Sequence, residues 1–258
     1  MSKVALITGA TSGIGLELAK IHASKKGDLI LVARRADLLN QIKNDLETKY
    51  GINVYVIPQD LADPNGPDRV YNEVKKMNLQ IDYLINNAGF GGHGFFADRP
   101  WIHDKAMIDL NVIATVALTR FFLPDMIKAN EGRILNIASM AGFIPGPLHS
   151  VYFATKSFVI SFSEAIANEL SGTKVTVTVL CPGPTATGFF EAADMKGVRS
   201  LKRIPASAKS VAEKGYSAML KGKTVSIPGA VNKMLLLFLR FMPRSLITKI
   251  SGAMMKKE

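Results

Sequence analysis

Tyr152 and Lys156 stand four residues apart in the stretch VYFATKSF, residues 151–158. Positions i and i+4 share one face of a helix, so a single helix can hold the two side chains as neighbours. The pairing matters because a free tyrosine has a pKa near 10. It can give a proton to an oxygen atom, but it is hard to regenerate at neutral pH. An ammonium about 4 Å away is worth about 4 kcal/mol at an effective dielectric of about 20. That energy lowers a phenol pKa by roughly three units. A Tyr–Lys pair of this kind can protonate an alkoxide or deprotonate an alcohol. Standing alone, the same pair reads as the surface of an amphipathic helix, so its company decides.

The elements around it must be strands and helices in alternation. VALIT (4–8), LILVA (29–33), VYVIP (54–58), DYLIN (82–86), RILNIA (133–138), KVTVTVLCP (174–182) and TVSIP (224–228) read as strands. Helical patterns cover about 14–23, 38–50, 68–77, 108–129 and 152–170. Alternation of this kind predicts βαβ units and a parallel sheet covered on both faces. The expected fold is α/β: one Rossmann-type doubly wound domain over residues 1–258, with about seven parallel strands flanked by helices. No internal repeat or linker divides the chain. Ser139 would then follow the fifth strand at the sheet's C-terminal edge, where open α/β folds bind ligands.

The first strand ends in TGATSGIG, with Gly9, Gly13 and Gly15 between strand and helix. Glycines there let the backbone bend tightly and approach a ligand without a Cβ, and the helix N-terminus favours a pyrophosphate. The spacing differs from G-x-G-x-x-G, so the position after a buried strand carries the inference. The second strand runs into Ala33, Arg34 and Arg35, where an acidic residue would select a free ribose 2′-hydroxyl. Two arginines favour a 2′-phosphate, hence NADP(H) over NAD(H).

As a set, TGATSGIG (8–15), NNAG (86–89), Ser139 in NIASMAG and YFATK (152–156) resemble the short-chain dehydrogenase/reductase family, with Asn111 and CPGPTAT (181–187) in support. The resemblance spans roughly residues 3–190. It implies that Tyr152 is the general acid/base, that Ser139 orients the substrate oxygen and that Lys156 holds the nicotinamide ribose and lowers the tyrosine pKa. It implies that Asn111 completes a proton relay through water. Gly9, Thr11, Ser12, Gly13, Ile14 and Gly15 would hold the pyrophosphate side. Arg34 and Arg35 would take the 2′-phosphate, Asp60 and Leu61 the adenine, and Asn87, Ala88 and Gly89 the adenosine side. Pro182, Gly183, Thr185 and Thr187 would lie by the nicotinamide. The family pattern departs at Ser12, where many NADP-preferring members carry a basic residue.

Phe90, Phe95, Phe96, Phe143, Ile144, Pro145, Phe189 and Phe190 are expected around the site, and apolar walls suit a lipophilic carbonyl or alcohol. The expected activity is NADPH-dependent hydride transfer to such a carbonyl. The alternative is a catalytically inactive NADP-binding sensor or scaffold. Epimerases and dehydratases of this fold carry longer C-terminal substrate domains. His22, His93, His103 and His149 form no ligand cluster and no metal site is expected; His149 either touches substrate or faces solvent.

The formal net charge of +11 is segregated: residues 1–195 hold 18 Lys+Arg against 19 Asp+Glu, and residues 196–258 hold 14 against 2. A uniformly basic nucleic-acid binder would not look like this, and no nucleic-acid partner is expected. A substrate flap is expected over about 188–223, including Lys196, Arg199, Lys202 and Arg203. A basic, apolar tail follows over about 230–258. The tail suits an interfacial helix against anionic lipid, packing on the body or a second subunit, or attraction of substrate phosphates. One cysteine, Cys181, excludes an internal disulfide. No secretory signal is evident and no apolar run is expected to reach the roughly 18–20 residues of a membrane span. The expected setting is cytoplasmic, with membrane association at the periphery, and the expected assembly is a homo-oligomer, dimer or tetramer.

Overall fold

In the computed structural model, which describes residues 2–195, 197–198 and 205–257, strands and helices alternate from the start. Strand β1 (Val4–Thr8) passes through helix α1 (Gly13–Ser24) to β2 (Asp28–Ala33), and α2 (Ala36–Tyr50) leads to β3 (Val54–Pro58). Then come α3 (Gly66–Lys76), β4 (Tyr83–Asn86), α4 (Trp101–Ile108), α5 (Ala114–Ala129), β5 (Gly132–Ile137), α6 (Ser150–Glu169) and β6 (Val175–Leu180). The remainder holds β7 (Thr185–Ala186), α7 (Phe189–Ala192), β8 (Ala206–Ser207), α8 (Ala208–Leu220), β9 (Val225–Ser226), α9 (Ala230–Leu239) and α10 (Arg244–Met254).

Seven strands form one sheet in the order β3-β2-β1-β4-β5-β6-β9, every pair parallel. This is the expected Rossmann-type arrangement. Every residue of β1 is buried because helices cover both faces, which is why VALIT has no polar alternation. Ala5 and Ile7 face one core with Leu18, Leu39 and Met219; Val4 and Leu6 face the other with Val70, Leu118 and Phe122. The strand order reverses between β1 and β4, and open α/β sheets bind ligands at the carboxyl ends of the strands at such a point.

Two asparagines interrupt these apolar strands. Asn86 Nδ2 donates to Asn136 Oδ1 at 2.9 Å, and Asn136 Nδ2 donates to Ser163 Oγ at 2.9 Å. This buried ladder ties β4 and β5 to α6, so it sets the height of α6 against the sheet edge.

The helix expected over 108–129 begins earlier, at Trp101, and is broken by a π-turn over Asp109–Ile113. The continuous stretch Trp101–Ala129 is long and apolar enough to cross a membrane by length and composition, which corrects the expectation that no run reaches that length. One face packs in the core through Met107, Leu118, Phe122 and Met126, while Trp101, Ile102 and Ile113 are exposed. The two-residue strands β7 and β8 were not expected; they pair with each other in a separate sheet. Of the proposed flap, Lys196, Arg199, Lys202 and Arg203 lie outside the described residues.

Asn136→Ala would leave the Asn86 amide and the Ser163 hydroxyl short of partners in a dry interior. The expected loss of stability is about 1–3 kcal/mol, read as a lower midpoint in urea unfolding at unchanged slope.

Candidate active site

The glycine turn is built as a cradle. Gly9 has φ +64° and Gly13 φ +55°, conformations that L side chains rarely adopt. A Cβ on Gly9 would stand 2.9 Å from Ala88 Cα, and one on Gly15 would meet the side-chain amide of Asn87. At Gly9 the turn and the loop after β4 therefore touch backbone to backbone, and at Gly15 the turn meets the Asn87 side chain. Thr8 Oγ1 accepts from Asn87 N at 2.9 Å and Ala88 N at 3.0 Å, while Asn87 Nδ2 donates to Thr8 O at 2.9 Å. Thr8 was not among the expected residues; a hydroxyl ending an apolar strand was the available signal. Thr187 lies against the same turn, with its Cγ2 3.0 Å from where a Gly13 Cβ would stand.

On the adenosine side, Arg35 Nη2 donates to Thr11 Oγ1 at 3.1 Å, and Arg34 Nη1 is 3.9 Å from Asp60 Oδ2. Arg34 and Arg35 are exposed. Asp60 Oδ1 accepts from Ala62 N, and Leu61 is buried beneath. Pro182 and Thr185 are buried in the loop after β6 with Gly183 between them, and Thr185 Oγ1 donates to the Gly183 carbonyl at 2.9 Å. A cradle closed to a Cβ at Gly9 and Gly15 and a helix N-terminus at Gly13–Ile14 fit the pyrophosphate of a dinucleotide.

The proton-handling candidates converge beside this cradle. Tyr152 and Lys156 lie in the first two turns of α6, both buried. Lys156 Nζ donates to the Ile137 carbonyl at 2.8 Å and lies 5.7 Å from the Tyr152 ring centroid. Burial draws the Lys156 pKa down to about 8. Burial pushes Tyr152 up to about 12, against the lowering pull of a hydrogen bond with Ser139. This corrects the expectation that the ammonium draws the phenol toward neutrality. Desolvation of the tyrosinate is the larger influence, and the hydrogen bond with Ser139 only partly offsets it.

Ser139 caps the short 3₁₀ turn Met140–Phe143, its Oγ accepting from Ala141 N at 3.1 Å. Asn111 sits in the π-turn, a feature common at functional sites. Its side chain accepts from Phe90 N at 3.1 Å and donates to Phe90 O at 3.0 Å and Thr155 Oγ1 at 3.1 Å. Gly89 stands between Asn111 and Lys156, since a Cβ there would be 2.9 Å from Asn111 Oδ1 and 3.4 Å from Lys156 Nζ.

The walls around Tyr152 are apolar: Phe90, Ile144, Phe189, Met107 and Met255 pack with it. Phe95 and Phe96 are not part of this cluster; they are 69% and 65% exposed. Phe143 is also exposed, and Phe190 packs one layer away, on Met195 and Val198. His149 is buried rather than solvent-facing: it stacks on Tyr152 at 4.7 Å, and its Nδ1–H donates to Gly92 O at 2.5 Å. Among the described residues no cluster of metal-ligating side chains occurs.

A parallel sheet with a glycine cradle at its switch point and a Tyr–Lys helix beside it defines a Rossmann-type protein of the nucleotide-binding class. The family model for short chain dehydrogenase matches residues 3–196, and the chain belongs to that family. It is 33% identical over 189 residues to the very-long-chain 3-oxoacyl-CoA reductase of Mus musculus, covering 71% of this chain and 59% of that protein. This and other curated relatives are spanned over 50–75% of their own length. Among solved structures it is similar to a short-chain dehydrogenase from Sphingobium yanoikuyae in complex with NADPH, with TM-score 0.82, 27% identity and coverage of 94% and 97% of the two chains. A second, from Burkholderia phymatum in complex with NAD, aligns with TM-score 0.84, 25% identity and coverage of 94% and 96%.

Burial lowers the His149 pKa from 6.5 to about 4, because the ring must enter the core neutral. The unfolded chain then binds a proton below pH 6.5 that the native state takes up only near pH 4. The stability from the neutral ring is full above pH 6.5 and lost as pH falls toward 4, by roughly 3 kcal/mol. Unfolding titrations at pH 7 and pH 4.5 should show a smaller acid loss in His149→Gln than in wild type.

Proposed function

We propose that the protein is an NADPH-dependent oxidoreductase that reduces a lipophilic carbonyl, with Tyr152 as the general acid. The observation that carries this reading is the convergence, beside a glycine cradle, of a buried Tyr152, its hydrogen-bond partner Ser139 and Lys156 one turn along α6. A complete set of proton-handling groups argues for an enzyme over an inactive sensor.

The nicotinamide cofactor, when bound, supplies a hydride to the carbonyl carbon. Gly9, Thr11, Ser12, Gly13, Ile14 and Gly15 would hold its pyrophosphate side, Arg34 and Arg35 the 2′-phosphate, and Asp60 and Leu61 the adenine end. Asn87, Ala88 and Gly89 would border the adenosine, with Pro182, Gly183, Thr185 and Thr187 along the nicotinamide. The exposure of both arginines beside Thr11 and Asp60 supports NADP over NAD.

Burial keeps Tyr152 protonated at pH 7, which is the form a reduction needs. An alkoxide is a far stronger base than a phenolate, so the proton moves from Tyr152 Oη to substrate oxygen without a lowered tyrosine pKa. Lys156, mostly charged at pH 7, stabilises the tyrosinate left behind. Ser139 orients the reacting oxygen, and Asn111 anchors the loop at Phe90 that borders it. The apolar cluster of Phe90, Ile144 and Phe189 supports a lipophilic substrate, and the reductase named for its action on very-long-chain 3-oxoacyl-CoA supports a ketone on an acyl chain.

Tyr152→Phe is expected to lower turnover by about 10²–10⁴-fold while NADPH affinity stays unchanged; a carbonyl panel with calorimetric binding checks both, and retained turnover sinks the assignment. Reduction should weaken as pH rises through about 8, where Lys156 loses its charge; a pH–rate profile that is flat from 7 to 9 contradicts this. Arg34→Ala with Arg35→Ala should raise KM for NADPH by at least about tenfold and leave KM for NADH unchanged.

A further inference from the structure

We propose that α9 and α10 form a docking face for an anionic lipid bilayer, set around the mouth of the candidate active site. Helix α9 buries no residue. Its stripe Asn232, Leu236 and Leu239 is half-covered by the body, while Val231, Met234, Leu235, Leu237 and Phe238 are exposed. Phe241, just beyond, is 81% exposed. Helix α10 packs through Ile247 and Ser251 and exposes Leu246, Ile250 and Met254, which share one face at four-residue spacing. So many large apolar side chains left exposed on two successive helices mark an interaction site.

The charge says what covers it. From Lys214 to Lys257 the chain has nine Lys+Arg and no Asp or Glu. Lys257 pairs with Asp194, but Lys233, Arg240, Arg244 and Lys249 have no carboxylate partner among the described residues. A second copy seated on this face would bring cations against cations. A surface of anionic headgroups over hydrocarbon satisfies both the apolar stripe and the basic flanks.

The same two helices border the site. A Cβ on Gly183, in the nicotinamide-side loop, would stand 2.9 Å from the Asn232 amide of α9. A Cβ on Gly252 of α10 would stand 3.2 Å from Pro147, in the loop that enters α6. Just after α10, the Met255 carbonyl accepts from His93 Nε2 at 2.7 Å, and the Met255 side chain packs in the Tyr152 cluster. A bilayer on this face therefore meets the apolar walls of the site. Resting on the reductase reading, the substrate then passes from lipid to Tyr152 without crossing water.

Flotation of the full chain with phosphatidylcholine vesicles, with and without phosphatidylserine, tests docking. The chain should float with the anionic vesicles at low salt, and binding should fall by about tenfold or more on phosphatidylcholine alone or at about 1 M salt. Phe238→Gln with Phe241→Gln replaces exposed groups only and should reduce anionic binding by at least about tenfold. Turnover of a soluble short-chain carbonyl should be unchanged in that variant, which reports its folding, while turnover of a long-chain carbonyl in vesicles drops. Arg240→Gln with Arg244→Gln should weaken the preference for phosphatidylserine independently. The proposal is overturned if the chain ignores both vesicles, or if it binds them with no loss in either variant. It is also overturned if sizing shows a dimer that the phenylalanine variant turns into monomer. If flotation behaves as expected and wild type reduces no carbonyl, docking stands and the reductase reading fails.

Discussion

The Lys156 ammonium is buried at the carboxyl edge of the sheet, 2.8 Å from the Ile137 carbonyl. An ammonium removed from water loses much of its hydration, and that loss draws its pKa down to about 8. The rest of the site depends on holding the charge there. Strand β5 must end at Ile137 to offer its carbonyl, and α6 must lie at the height that brings Lys156 to it. The Asn86–Asn136–Ser163 ladder sets that height from below. Gly89 leaves the room that Lys156 Nζ and the Asn111 amide occupy.

Desolvation acts on Tyr152 in the opposite sense to the hydrogen bond with Ser139, and it wins. The apolar packing of Phe189, Met107 and His149 that shapes the site also makes a tyrosinate costly. The phenol is thereby kept as an acid, suited to giving up its proton to a stronger base. Burial of Cys181, the one thiol, pushes its pKa up to about 12, so the only sulfhydryl close to Lys156 stays a neutral core residue.

The two ends of the chain follow different physical rules. Residues 1–195 balance their charges, and their apolar residues, joined by Val211, Ala212, Tyr216 and Met219 of α8, fill two cores on either side of the sheet. The last two helices pack through narrow stripes and keep large side chains exposed beside cations that have no carboxylate partner among the described residues. They are also the elements that flank the loops at Gly183 and Pro147, so surface chemistry and the site are contiguous.

The sequence by itself determined the sheet and the candidates. Continuous apolar runs such as VALIT can be stable only when covered on both faces, and the Tyr152–Lys156 spacing can place both groups on one side of a helix. Local periodicity and backbone permissiveness, at Gly9 and Gly13 above all, carry that information. Neither can report distances between elements or the loss of water around a group. The 5.7 Å from the Lys156 nitrogen to the Tyr152 ring, the burial and stacking of His149, the π-turn under Asn111 and the exposure of Phe95 and Phe96 were decided by tertiary packing. The direction of the Tyr152 pKa was decided there too, because desolvation depends on every neighbour at once, whereas the sequence shows only the one four residues away.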